Sequence, residues 1–164
     1  MKIAQIVASL DAQHGGPSRS SLGLSKGLAG LGHNVDLLCA GSEPKTENLP
    51  GLNIRTFAGQ FPEKFCPSSA LKRHLGTGEY DLLQHHGLWL RPLHYAHRVA
   101  SARSIPLVIS PKGMMAPWAW NHRRGRKRIA QYFVHPKALQ NATGWHATSQ
   151  MEADDIRGLG FSQP

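Results

Sequence analysis

Two apolar runs joined by a glycine turn and a helix fill the first 40 residues, and nothing else in the chain restricts its fold as tightly. Met1–Leu10 stops at Ala12-Gln13-His14-Gly15-Gly16-Pro17-Ser18, a helical segment runs to Gly32, and Val35–Ala40 is apolar again. Strand, glycine turn, helix and strand in that order make a parallel βαβ unit. Gly15 and Gly16 permit a backbone approach that side chains would block, and Pro17 suits the first helical turn. A helix starting there turns free N–H groups and roughly half a positive charge toward the loop, which favours an anion such as phosphate. Glycine turns of this kind also serve helix–strand contact alone.

The alternation continues. Asn53–Ala58 reads as a strand, followed by a Gly- and Pro-containing loop to Pro67 and a short helix over Ser68–Leu75. Tyr80–His85 is a strand, and His86-Gly87-Leu88-Trp89-Leu90 is the loop after it. Pro92 opens a helix with Leu93, Ala96, Val99 and Ala100 on one face. Ile105–Ser110 is the next strand, ending at Pro111-Lys112-Gly113, and Thr143–Thr148 is the sixth. Ser149 with Glu152 three residues on forms a capping box that opens another helix. One domain, residues 1–164, is expected, since this length supports a full α/β core. Six strands alternating with helices imply an α/β, Rossmann-like, doubly wound parallel sheet with helices on both faces. Ligands in such folds sit at the carboxyl ends of the strands, so His14–Ser18, Gln84–Leu90 and Pro111–Pro117 should converge on one crevice. None of these loops carries an aspartate or glutamate, and Asp11 is the nearest carboxylate.

Charge narrows the partners. A formal net charge of +9 implies anionic ones: nucleic acid, an acidic membrane, or phosphorylated and carboxylated substrates. Cys39 and Cys66 make no disulfide framework, and Cys39 reads as a small buried hydrophobe. The apolar N-terminus is broken by Gln5 and ended by Asp11, a poor signal peptide, so the chain reads as cytoplasmic.

At a strand's end, alternation sends His85 and His86 to opposite sides, and His86, beside Gly87, is the one expected to face the crevice. Lys112 at the next strand's end can neutralise a phosphate or carboxylate. His94 and His97 lie three apart on a helix, but no cysteine or carboxylate cluster accompanies them, so no metal site is expected. Residues 117–133 read as one long amphipathic helix, interrupted or ended by Pro136. At about 100° per residue Trp118, His122, Ile129, Tyr132 and Phe133 share one face. Arg123, Arg124, Arg126, Lys127 and Arg128 spread over the other, with Trp120 among them. An aromatic ring amid cations favours an anionic membrane interface, with nucleic acid the competing partner.

In order and spacing these stretches resemble the N-terminal domain of a family 4 glycosyltransferase of the two-domain GT-B fold. His14-Gly15-Gly16-Pro17-Ser18 and the helix after it resemble the family's glycine loop. Asp81-Leu82-Leu83-Gln84-His85-His86-Gly87-Leu88-Trp89 resembles a segment that usually carries two histidines one residue apart, with Gln84 replacing the first. Ser110-Pro111-Lys112-Gly113-Met114 resembles a stretch with arginine where Lys112 stands. His146-Ala147-Thr148-Ser149 with Glu152 matches the last strand and helix.

The resemblance implies transfer of a sugar from a nucleotide-sugar donor, with retained configuration, to a glycan or lipid-linked acceptor in surface glycan synthesis. It implies His86 and Lys112 as catalytic residues, and Gly15, Gly16 and Ser18 as the diphosphate loop. His14, Trp89 and Met114 would meet the acceptor. Trp120, Arg123, Arg124, Arg126, Lys127 and Arg128 would form a surface for an anionic membrane, at the inner face of the plasma membrane. No cofactor or metal is implied, the nucleotide sugar being a substrate. Most nucleotide contacts belong to a C-terminal domain expected to be absent here, because the chain stops near the interdomain link, and the isolated domain is expected to be inactive. Two other readings compete. A nucleotide-sugar dehydrogenase or epimerase on a dinucleotide-binding fold needs Gly-x-Gly-x-x-Gly, which His14–Ser20 lacks. A non-catalytic basic module for nucleic acid or membranes would use residues 117–133.

Overall fold

A computed structural model describes residues 1–10, 16–41, 45–122, 125 and 137–161. Seven strands form one sheet in the order β3-β4-β2-β1-β5-β6-β7. They are β1 (Lys2–Val7), β2 (Asn34–Gly41), β3 (Lys45–Leu49), β4 (Leu52–Ala58), β5 (Leu82–His86), β6 (Leu107–Ser110) and β7 (Gly144–Trp145). All pairs are parallel except β3–β4, a hairpin closed at Pro50-Gly51, where Gly51 takes φ +70°. β3, the outer strand of that hairpin, is the seventh, beyond the six read from the sequence; the polar run Lys45-Thr46-Glu47-Asn48 gives no apolar signal for it. β7 is shorter than Thr143–Thr148, although Thr143 N–H to Leu107 O (2.8 Å) and His146 N–H to Ile109 O (2.9 Å) extend its ladder.

The helices are α1 (Gly16–Gly30), α2 (Ser69–Thr77), α3 (Arg91–Arg103), α4 (Pro117–Asn121) and α5 (Gln150–Gly158). Alternation along the strands builds a separate core on each face. On one face Val7, Val35, Leu37, Cys39 and Leu52 are buried together with Leu22 and Leu28 of α1. On the other Ala4, Ile6, Leu38, Leu83, Leu107 and Ile109 meet Leu71 and Leu75 of α2 and Leu93 and Ala96 of α3. Strand order reverses at β1, whose neighbours are β2 and β5, and the crevice of such a sheet opens at the carboxyl ends of β1 and β5.

The long amphipathic helix is corrected at its start. α4 ends at Asn121 and His122 is extended (φ −62°, ψ 123°), so the phase counted from Pro117 does not carry through. The assignment of the tryptophans is reversed as a result. Trp118 is 78% exposed, whereas Trp120 is half-buried with its ring 5.3 Å from that of Trp89. Among the described residues no helix is long and apolar enough to cross a membrane.

Candidate functional site

The register aligns Val7, His86 and Ser110 across β1, β5 and β6, so the loops that follow these strands leave the sheet at one edge. α1 begins at Gly16 on the same edge. Gly16 is exposed, and a Cβ there would meet nothing within 4 Å, so its backbone faces open space. Ser18 has a different place from the one expected. It is buried, and its hydroxyl donates to the Ser9 carbonyl (2.9 Å), tying α1 back to the end of β1. His14, Gly15, Arg123, Arg124, Arg126, Lys127 and Arg128 lie outside the described residues.

His85 and His86 do point to opposite faces, but both are buried. His85 Nδ1 lies 3.0 Å from the Gly87 carbonyl, to which it donates. His86 belongs to a polar seam on the α1 face that crosses β1, β5 and β6 and ends at His146, just after β7. Its Nε2 donates to Gln5 Oε1 (2.5 Å), and Gln5 Nε2 donates to Gln84 Oε1 (2.9 Å). Gln84 Nε2 in turn reaches Ser110 Oγ (2.8 Å) and His146 Nδ1 (3.2 Å), with Ser110 Oγ 2.9 Å from the same nitrogen. Chemistry fixes the proton positions. An amide oxygen only accepts, so His86 carries its proton on Nε2 and presents a lone pair at Nδ1. That Nδ1 is buried and has no hydrogen-bond partner among the described residues. Burial above all, then the Lys112 charge and the His85 and His146 rings, holds the His86 pKa at about 3, so the imidazole is neutral at physiological pH.

Two turns follow β5 and β6 at this edge of the sheet. Gly87 (φ +90°) and Trp89 (φ +70°) bend the chain after β5, and Lys112 (φ +55°) and Gly113 (φ +77°) bend it after β6. Met114 clasps the two, its Sδ accepting the Leu88 N–H at 3.2 Å. Its side chain is thus engaged by the protein, and Trp89 is likewise half-buried against Trp120. A Cβ on Gly87 would lie 3.4 Å from Met114 Cε. Gly87→Ala is therefore expected to lower the unfolding free energy by about 1–2 kcal/mol, the left-handed conformation supplying most of it. Urea denaturation checks this, and an alanine variant as stable as the parent would show that the turn relaxes freely.

Lys112 is half-buried, and its charge is felt at His86, His146 and Glu152. Burial lowers its pKa while the Glu152 carboxylate raises it. The three crevice loops carry no carboxylate of their own, but one reaches the third loop from a later helix. Glu152 lies on α5, yet its Oε1 accepts the Gly113 N–H at 2.6 Å. The capping box is half formed: Ser149 Oγ accepts the Glu152 N–H (3.2 Å), but the Glu152 side chain turns to Thr148 and Gly113 instead of Ser149. Gln5, Ser110, His146 and Glu152 are the members that motif reading did not select. Gln5 was visible as the one polar residue between Ile3 and Val7 of an apolar strand.

A neutral imidazole, a half-buried cation and an open helix start lie on one edge of a doubly wound, Rossmann-like sheet. The chain belongs to Glycosyltransferase Family 4, whose family model matches residues 14–164. Among solved structures it is similar to the UDP-GlcNAc 2-epimerase from Methanocaldococcus jannaschii, at 11% identity and a TM-score of 0.54. That match covers 99% of this chain and 43% of the epimerase, and at such low identity it speaks for the fold and not the reaction. Among curated proteins none is similar enough to match.

Proposed function

We propose that this chain is the acceptor-side domain of a retaining glycosyltransferase, moving a sugar from a nucleotide-sugar donor to a glycan or lipid-linked acceptor. The observation that supports it is the meeting of His86, Lys112 and the start of α1 at one edge of the sheet in a family 4 chain. In this reading the Gly16 N–H and the α1 dipole receive the donor's diphosphate as leaving-group charge develops. Lys112 balances anionic charge on the opposite wall. His86, neutral and held by Gln5, accepts a hydrogen bond from a sugar hydroxyl through Nδ1 once a local opening uncovers that buried nitrogen. No protein nucleophile is assigned. The remaining nucleotide contacts come from a second domain, which the 43% coverage of the epimerase accommodates, and the isolated domain is inactive. The enzyme works in the cytoplasm, peripherally on the inner face of the plasma membrane, where the exposed Trp118 and the basic run after it meet acidic lipid.

The test uses the complete gene product with radiolabelled nucleotide sugars and lipid extracts as acceptors, beside residues 1–164 alone. Transfer by the complete protein is expected, with none by the isolated domain. His86→Ala and Lys112→Ala are each expected to lower kcat/KM about 100-fold. Undiminished transfer by both variants would refute these roles.

A further inference from the structure

Lys112 and Gly113 are consecutive left-handed residues. A side chain in that region is strained, so Lys112 stays there only if the surroundings hold it. The hold comes from far along the chain. Glu152 is only 5% exposed and sits third in α5, where the helix dipole favours negative charge. Besides the Gly113 N–H on Oε1, its Oε2 accepts the Thr148 N–H (2.7 Å) and the Thr148 hydroxyl (2.8 Å). Donors occupy both oxygens, which only an ionised carboxylate satisfies; an amide would oppose an N–H with its own. Burial opposes that charge, and the Gly113 and Thr148 bonds with the Lys112 cation outweigh it, so the pKa of Glu152 is lowered.

Lys112 itself is left uncommitted. It forms no hydrogen bond among the described residues, and the one ion pair there within 4.0 Å joins Arg157 to Asp154. Glu152 thus bonds the backbone next to Lys112 and influences the ammonium only through space. The other titratable groups feeling Lys112, His86 on β5 and His146 after β7, have lowered pKa values. We infer that Glu152 is the positioning residue of the cleft, clamping the Lys112–Gly113 turn so that the Lys112 ammonium stays free for an anionic substrate. This rests on the reading of Lys112 given under the proposed function.

The experiment contains no substrate, so it can fail while transfer activity stands, and the transfer assay can fail while it succeeds. The side-chain carbons of Lys112 and Glu152 are followed by NMR through a pH titration of the isotope-labelled chain, Lys112 being assigned from Lys112→Arg. In Glu152→Gln the Lys112 titration is expected to move to lower pH. Thr148→Ala, which keeps the carboxylate, should leave it near its original place. Should Glu152→Gln not fold, the reciprocal arm decides: in Lys112→Met the Glu152 titration is expected to move to higher pH. In the complete enzyme Glu152→Gln is expected to lower kcat/KM about 10- to 100-fold, the effect of a misplaced charge. Titrations of Lys112 and Glu152 that ignore each other would overturn the inference.

Discussion

Lowering the pH from 7 to 4.5 is expected to remove roughly 2.5 kcal/mol of stability through His86 alone, and His86→Leu should abolish that part of the loss. The folded imidazole has a pKa of about 3 against an ordinary value of 6.5, and burial is the main cause. Between those values the unfolded chain binds a proton that the folded chain refuses, so stability falls as the solution is acidified through 6.5 and is complete above it. His74, His94, His97 and His146 are lowered too and act in the same direction, which is why the variant isolates the His86 contribution. Stopping at pH 4.5 avoids most carboxylate protonation, including that of Glu152, whose depressed pKa adds a loss at lower pH. At pH 7 His86→Leu leaves Gln5 Oε1 without its donor, a cost of about 1–3 kcal/mol, so the two stability curves should approach each other toward acid. Urea unfolding at several pH values measures both. Parallel curves would mean that His86 titrates normally and is not held neutral in the cleft.

Much of this architecture was legible because it rests on local chemistry. The Gly-Gly-Pro turn between apolar runs marks β1 and α1, and the apolar stretches before His86 and Lys112 mark β5 and β6, so the crevice loops follow from strand order. Ser149 marks the start of α5 in the same way. The rest depends on register or on chain phase, which spacing does not reveal. Gln5 and Gln84 are 79 residues apart and meet only because β1 and β5 pair in parallel with these positions opposite. Glu152 has the spacing of a capping residue, but the Gly113 N–H across the crevice competes for its carboxylate. Trp118 and Trp120 were assigned by a helical phase that the break at His122 removes. Ser18 reads as a phosphate ligand by position in its loop, yet the Ser9 carbonyl is nearer to hand. Of the two departures from the pattern that the resemblance implies, Gln84 falls on the seam itself and Lys112 on the turn beside it. With glutamine at 84 the titrating members of the seam are its two end histidines, and the middle is an amide that passes hydrogen bonds without carrying charge.

That seam makes Gln5 the residue whose loss should be felt most. Gln5→Leu preserves size and strand propensity, yet a destabilisation of about 3 kcal/mol is expected. The reason is geometric. Gln5 is completely buried, and its one amide serves two neighbours, accepting from His86 Nε2 and donating to Gln84 Oε1. Leucine strands both groups where no water reaches them, and its added apolar burial offsets only part of that. Replacing Gln84 by leucine as well removes one stranded group, so the double variant should be less damaged than the two single losses added, with a coupling of about 1–3 kcal/mol. Ser110 and His146 keep each other at 2.9 Å in that variant, which confines the repair to the Gln5–Gln84 link. Calorimetry of the four proteins gives the coupling, and strictly additive losses would mean that the amides are solvated separately. The same substitution reaches the proposed chemistry. Without the Gln5 oxygen nothing fixes the proton on His86 Nε2, so the nitrogen NMR shifts of that ring should change from one tautomer to a mixture. The lone pair at Nδ1, which a sugar hydroxyl would need, is then present only part of the time.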